Sequence, residues 1–263
     1  MRPPERYDAI VKLVHRTGEI SVDELAASMA VSRETIRRDL AHLDAEGRVK
    51  KFHGGARLLG IVREPSAEGP FALRLAESAE SKKRIGRKAA EILKPGDSLF
   101  IDTGTTTLML ADALVELSSL IVITNSWRIA TVVSGNPSHK VFLIGGAYAS
   151  DAGESLGQFA IDQIRHFRAL HAFLTVGSVE ETGVLDFDAL EAEVARAMVE
   201  RVDHVTILAD QTKFTRRGIF EVAPWSRIDR LVVDTTPPDL ILDTIRKSRK
   251  TEIVHTSKDA KSH

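Results

Sequence analysis

Residues 21–55 read SVDELAASMAVSRETIRRDLAHLDAEGRVKKFHGG, and their pattern decides the N-terminal fold. Ser21 stands three residues ahead of Glu24, the spacing of a capping box: the serine hydroxyl accepts from the backbone ahead and the glutamate reaches back. A helix therefore opens there and runs through Leu25, Ala26 and Met29. After a turn of a few residues Ser32 caps another helix, which buries Ile36, Leu40 and Leu43 before Gly47 stops it. Upstream, Tyr7, Ile10, Val11 and Val14 recur at helical spacing until Thr17-Gly18 breaks the run. Downstream, Arg48 to Ala56 reads as a short hairpin. Residues 5–46 are thus three short helices, the last two joined by a tight turn, and in that arrangement the third helix fits the major groove of DNA.

Arg33, Thr35, Arg37 and Arg38 occupy the first two turns of the third helix, off the face that carries Ile36 and Leu40. Guanidinium forks pair bidentately with guanine edges or phosphates, and the helix N-terminus offers backbone donors to a phosphate. Lys50 and Lys51 supply phosphate contacts from the hairpin, and Gly54-Gly55 lets its backbone approach a groove closely. The candidate DNA contacts are Ser21, Ser32, Arg33, Glu34, Thr35, Arg37 and Arg38 on the helices, with Arg48, Lys50, Lys51, His53, Gly54 and Gly55 on the hairpin. A basic-rimmed protein-docking module would need only some of these features; all of them in this order point to duplex DNA.

The whole chain hides this asymmetry, because its 263 residues carry 36 basic against 37 acidic side chains. Residues 32–57 alone hold a net charge of +3, enough local field to steer a polyanion. The absence of cysteine excludes disulfides, thiolate metal sites and cysteine nucleophiles. The N-terminus carries no apolar run of signal-peptide type, and no segment reaches the roughly 18 apolar residues of a membrane span, so the expected location is the cytoplasm. The nine histidines are scattered without metal-ligand spacing, and neither a metal nor a cofactor is expected.

From about residue 98 the pattern changes. Continuous apolar runs at 98–102, 120–124, 141–144, 172–176, 205–209 and 231–233 alternate with helical stretches, as central strands of a parallel sheet covered on both faces require. The expected architecture is α/β: a small winged helix-turn-helix domain at 1–57, a Gly/Pro-bearing linker at 58–80, a doubly wound α/β sensing domain at 81–257 and a polar tail at 258–263. A charged helix is expected over 71–92, and the polar, basic stretch after Arg246 reads as a fraying end.

Within the larger domain Ser98–Asp102 runs into Thr103-Gly104-Thr105-Thr106-Thr107 and then into a helix beginning near Leu108. Such a loop aims free N–H groups, hydroxyls and the positive end of a helix dipole at one point, which suits a phosphate. It lacks the Gly-Lys-Ser/Thr of a Walker loop and the three spaced glycines of a dinucleotide fingerprint, so a small phosphate ester is favoured over a nucleotide. Asn125-Ser126, Gly145-Gly146 and Gly177 also follow strands and are expected to converge near Thr105, with Lys213 supplying a cation. Loops after strands need Gly and Asn for backbone reasons alone, which is the plainer reading of each single residue.

These stretches carry a family resemblance. Ile20-Ser-Val-Asp-Glu-Leu-Ala, Val31-Ser-Arg-Glu-Thr-Ile-Arg-Arg-Asp-Leu40 and Gly47–Ala56 resemble the N-terminal domain of the DeoR family of bacterial regulators. Ile101-Asp-Thr-Gly-Thr-Thr, Ile123-Thr-Asn-Ser, Leu143-Ile-Gly-Gly, Glu154-Ser-Leu-Gly, Val176-Gly, Glu191-Ala and Asp210-Gln-Thr-Lys-Phe are similar to the family's effector domain; Ala149 and Thr215 depart from its pattern. The resemblance implies a winged helix-turn-helix on a fold related to ribose-5-phosphate isomerase and coenzyme A transferases, a phosphorylated sugar or polyol as effector, and Lys82 as a lysine that reaches it. The expected effector set is therefore Lys82, Asp102, Thr103, Gly104, Thr105, Thr106, Thr107, Asn125, Ser126, Gly145, Gly146, Gly177 and Lys213.

The expected function is sequence-specific repression of a carbohydrate operon, relieved by that effector, by a homo-oligomer (dimer or tetramer) matching two operator half-sites. The rivals are a phosphosugar isomerase-like enzyme, which needs a carboxylate base drawn from Asp102, Asp186, Glu191 or Asp210, and an effector-independent DNA binder, which leaves the Thr-rich loop without a role.

Overall fold

The computed structural model describes residues 3–17, 19–46, 48–52, 54–57 and 69–256. The chain divides into two compact units, residues 1–65 and 66–263. The first comprises α1 (Pro3–Thr17), β1 (Glu19–Ser21), α2 (Val22–Met29), α3 (Arg33–Ala45), β2 (Lys50–Phe52) and β3 (Gly55–Arg57). The hairpin β2–β3 takes β1 as a third antiparallel strand in the order β1-β3-β2, so the wing is sewn to the segment that precedes α2. Ile10 and Val14 of α1 meet Leu25 of α2, Ile36, Leu40 and Leu43 of α3, and Val49 and Ala56 of the hairpin in one core. Each fully buried Leu or Ile there contributes roughly 1.5–3 kcal/mol, which is why so small a unit holds three helices. A buried ion pair completes it: Arg6 Nε and Nη2 donate to the two oxygens of Asp39 at 2.5 and 3.0 Å, tying α1 to α3.

The second unit begins with α4 (Phe71–Ala76) and α5 (Ala79–Ala90), then runs β4 (Ser98–Ile101), α6 (Thr105–Leu114), β5 (Ile121–Thr124), α7 (Trp127–Val133) and β6 (Lys140–Leu143). The hairpin β7 (Ala147–Ala149) and β8 (Glu154–Leu156) leads to α8 (Gln158–Arg165), β9 (Ala169–Leu174), β10 (Ser178–Val179), β11 (Gly183–Asp186), α9 (Ala189–Val199) and β12 (Val202–Ala209). After the 3-10 turn Gln211–Phe214 come β13 (Phe220–Pro224), β14 (Arg230–Val233), α10 (Asp239–Ser248) and β15 (Glu252–His255).

Seven of these strands form one parallel sheet in the order β15-β14-β12-β9-β4-β5-β6. Alternation along each strand feeds two cores: Phe100, Ala172, Leu174 and Ile207 face α8, α9 and α10, while Leu99, Ile101, Phe173 and Leu208 face α5, α6 and α7. The chain winds outward from β4 in both directions, which opens a crevice at the carboxyl ends of β4, β5 and β9. No helix among the described residues is long and apolar enough to cross a membrane.

Three expectations need correction. The charged stretch 71–92 is two helices, broken where Glu77 is extended and Ser78 takes a left-handed φ of 54°; neither residue type announces such a break. The helix after β4 starts at Thr105, not near Leu108, so the threonines form its first turn. The stretch after Arg246 does not fray as a whole: α10 continues to Ser248, and β15 adds a seventh strand beside β14. An outer strand needs little apolar content, and here Ile253 and Val254 supply it, one to each core.

Candidate functional site

On the first unit the side chains of Arg33, Arg37 and Arg38 are 65, 59 and 81% exposed along one side of α3, with Glu34 and the half-buried Thr35 between them. Their ion pairs are local and solvent-facing: Arg33 Nε to Asp23 at 2.7 Å, and Arg37 and Arg38 to Glu34 at 3.6 and 3.7 Å. Exposed pairs of this kind contribute at most about 1 kcal/mol and yield to a phosphate. The buried acid of α3, Asp39, is neutralised by Arg6.

Ser21 and Ser32 are spent on capping. Ser21 Oγ accepts from Glu24 N at 3.2 Å while Glu24 Oε2 accepts from Ser21 N at 2.9 Å, and Ser32 Oγ accepts from Thr35 N at 3.2 Å. Arg48 donates to Asp8 at 2.6 Å, which binds it to α1. Lys51 is exposed, and its N–H donates to Asp44. Gly54 turns the wing with φ of 108°, a conformation open to glycine, and stays exposed, whereas Gly55 is paired into the sheet. His53 and the side chain of Lys50 lie outside the described residues.

On the second unit a narrow polar cleft, with a cavity volume of about 20 Å³, lies where the strand order reverses. Asp102 and Thr103 enter it from the end of β4, Thr105 and Thr106 from the first turn of α6, Asn125 from the end of β5, Thr175 from the end of β9 and Lys213 from the turn after β12. Gly104 offers α6 no side-chain cap, so the first N–H groups of the helix remain available to a ligand. Glycine is required there by contact rather than by torsion: a Cβ would lie 2.0 Å from Thr175 Oγ1.

Hydrogen bonds stitch the strand ends together. The Asp102 carboxyl accepts from Thr175 N at 3.0 and 3.1 Å, Thr103 Oγ1 donates to Asn125 Oδ1 at 3.2 Å, and Asn125 Nδ2 donates to Ser155 O at 3.2 Å and reaches Glu154 at 3.4 Å. Burial pushes the Asp102 carboxyl well above the usual carboxylate range against the pull of the Thr175 N–H, with Asp186 and Glu154 adding to the rise. Burial likewise raises Glu154 to about 7, opposed by the Thr103 hydroxyl and by Arg74. Each acid that holds its proton near neutral pH removes a negative charge that would repel an anion.

Not every expected residue joins the cleft. Lys82 is buried and donates to the Arg74 carbonyl, and burial lowers its basicity. Thr107 Oγ1 turns back onto Gly104 O at 3.1 Å, and Ser126 caps α7. Gly145 is exposed and bonded through both backbone groups to Gln163 of α8; Gly146 packs on Leu156 and Gly177 against Phe187. Five polar residues outside the expected effector set line the cleft: Arg74 from α4, Glu154 from β8, Thr175 at the end of β9, Asp186 from β11 and Glu191 from α9, the last two weighed in the sequence only as bases for an enzyme. Only Glu154 and Glu191 fall in stretches that carry the family resemblance.

Comparison with known proteins adds independent findings. A family model described as a DeoR-like helix-turn-helix domain matches residues 6–61, and one described as a DeoR C-terminal sensor domain matches residues 77–235. The chain is 33% identical over 246 residues to the glycerol-3-phosphate regulon repressor of Escherichia coli, covering 93% of this chain and 96% of that one. It is 31% identical to the HTH-type transcriptional repressor CsqR of Escherichia coli over 97% and 96% of the two chains, and 32% identical to the HTH-type transcriptional regulator GolR of Listeria innocua over 89% and 91%. Among solved structures, ribose 5-phosphate isomerase A of Methanocaldococcus jannaschii superposes on 52% of this chain and 55% of its own with TM-score 0.39 and 14% identity.

Proposed function

This chain belongs to the DeoR family of transcriptional regulators, and on that premise we propose that it represses a carbohydrate operon and leaves its operator when a phosphorylated sugar or polyol fills the cleft of its second unit. The observation that carries the effector reading is the cleft's make-up: an uncapped helix N-terminus with two threonines, faced by Arg74 and Lys213, at the carboxyl ends of parallel strands. The helix end and the two cations suit a phosphate. Asp102, Asn125, Glu154, Asp186 and Glu191 suit the hydroxyls of a polyol, since carboxylates and amides accept from several donors.

On the first unit, the exposed arginines of α3 read base edges while Lys51 and the wing grip the backbone. Two copies place two such helices on two half-sites, and each phosphate contact adds to the salt dependence of binding. Relief follows from linkage: an effector that favours an arrangement mismatched to the half-sites lowers operator affinity, and DNA lowers effector affinity by the same factor. A coupling of about 1.4–2.8 kcal/mol changes operator affinity roughly 10- to 100-fold.

An isomerase would need a carboxylate free to take a proton from carbon. Carboxylates do line the cleft, and what favours the regulator over the enzyme is that the relatives carry the names of transcriptional repressors. The test is a thermal-shift screen of phosphorylated sugars and polyols beside their unphosphorylated forms, starting with glycerol 3-phosphate because of the name of one relative. A phosphate-dependent rise in melting temperature with release from operator DNA is expected; turnover of the compound in place of release would establish the enzyme.

A further inference from the structure

One cleft residue comes from a telling place in the chain. Arg74 belongs to α4, the first helix of the second unit, six residues long and beginning fourteen positions after the end of the wing strand β3. Its side chain lines the cleft, and it also lines a neighbouring opening bounded by Gly69, Asp151, Phe187 and Asp188. Arg74, Asp186 and Glu191 are common to both spaces, so the guanidinium stands where the cleft meets its mouth.

Specific contacts fix the helix at both ends, the Glu77 carboxylate just beyond it pairing with Arg216 at 3.1 Å. Phe71 is its one buried residue. The Phe71 N–H donates to Asp151 Oδ2 at 2.9 Å, the Arg128 guanidinium lies 4.9 Å from the Phe71 ring centroid, and the buried Lys82 ammonium of α5 donates to the Arg74 carbonyl. Immediately beyond α4 the backbone turns through Ser78, whose left-handed φ is strained for a residue with a Cβ. An anion at the α6 N-terminus draws on a planar, permanently charged fork that now faces carboxylates, and a side chain drawn inward pulls on the short helix that carries it. Because α4 leads the unit, its displacement acts on the chain segment that joins the two units.

We propose that Arg74 senses the anionic group of the effector and that α4, moving with it, transmits occupancy of the cleft toward the DNA-binding unit. The inference rests on the anion-binding reading of the cleft, and the test separates the two.

Hydrogen exchange is followed on the full-length protein with inorganic phosphate and, as control, chloride of equal ionic strength. Phosphate should slow exchange at residues 103–107 and alter it at residues 70–78. In Arg74→Gln the change at 70–78 should vanish, while 103–107 still responds at a phosphate concentration about tenfold higher, the loss of one charge-assisted contact. Phe71→Leu keeps an apolar anchor but removes the ring on which both Arg128 and Arg74 lie, at 4.9 and 5.5 Å, and so loosens the coupling of Arg74 to its own helix; Phe71 is not a cleft residue. It should bind operator as the wild type does and respond at 103–107, yet show a smaller effect of phosphate on operator affinity than the wild type. Should that variant misfold, Arg128→Gln takes its place: it removes the Arg128 contact with the ring and the Arg128 bonds to the carbonyls of Asp151 and Ala152, beside the Asp151 carboxylate that holds the α4 N-terminus. A response at 103–107 with none at 70–78, or a response at 70–78 that survives Arg74→Gln, overturns the transmission role alone. No response at 103–107 in the wild type overturns the cleft reading beneath it.

Discussion

The two units present their chemistry in opposite ways. On the first, the residues proposed to act, Arg33, Arg37 and Arg38, project from one helix into solvent, and their nearest acids are weak, local partners. On the second, the residues proposed to act are gathered from positions as distant as Arg74 and Lys213, and several are buried: Asp102, Thr105, Thr106, Asn125, Glu154 and Lys213. The contrast follows from the ligands. A duplex is large and stays hydrated, so it is met by an exposed rigid edge; a small anion must leave water, so its site has to enclose it and replace its hydration with fixed donors.

The sharpest way to break the comparison is to remove the exposed edge. Arg37→Ala with Arg38→Ala should cost specific operator affinity at least about 30-fold, since each base-reading arginine contributes about 1–3 kcal/mol. Fluorescence anisotropy at fixed salt checks the loss, and the effector's thermal shift should persist because the cleft is untouched.

An intermediate effect is expected from the opposite change. Thr105→Glu or Thr106→Glu places an acid at the α6 N-terminus, where it competes for the donors an effector needs. Operator affinity should stay within about threefold, whereas the 10- to 100-fold response to effector should disappear. A variant that still responds normally would remove the α6 terminus from the site.

The smallest effect concerns pH. Burial raises Glu154 to about 7, so raising pH from 6.5 to 8.5 ionises it and adds a negative charge to the cleft that takes the anionic effector. The phosphate, with a second pKa of about 6, is already largely dianionic over that range. Affinity for the effector should therefore fall several-fold as pH rises, and Glu154→Gln should flatten the dependence; calorimetry at both pH values measures it.

The same contrast explains what could be read in advance. Every residue of the α3 edge sits within one continuous motif, where capping serines, helical spacing and a glycine turn constrain one another. The parallel sheet was legible too, because buried strands such as Ile121–Thr124 leave nearly unbroken apolar runs. The cleft was only half legible. Thr105 and Thr106 follow a strand in a stretch with recognisable chemistry, but Arg74 is an ordinary charged residue until α4 is brought beside them, and Asp186 stood out only as one of four candidate bases. Gly145, Gly146 and Gly177 carry the opposite lesson: they follow strands as ligand-binding turns do, yet serve close packing and a side-chain clasp from Gln163. Lys82 also looks like a ligand-reaching lysine, but its ammonium is turned to the α4 backbone.

The most direct test of the central claim is a titration of the full-length protein against the DNA upstream of its own coding sequence and against a scrambled duplex of equal length, at one moderate salt concentration, with and without the phosphorylated compound found in the thermal screen. The account predicts binding to its own site tighter by about 10³-fold or more, weakened roughly 10- to 100-fold by the compound. Equal affinity for the two duplexes, or a specific complex that the bound compound leaves unchanged, would contradict it.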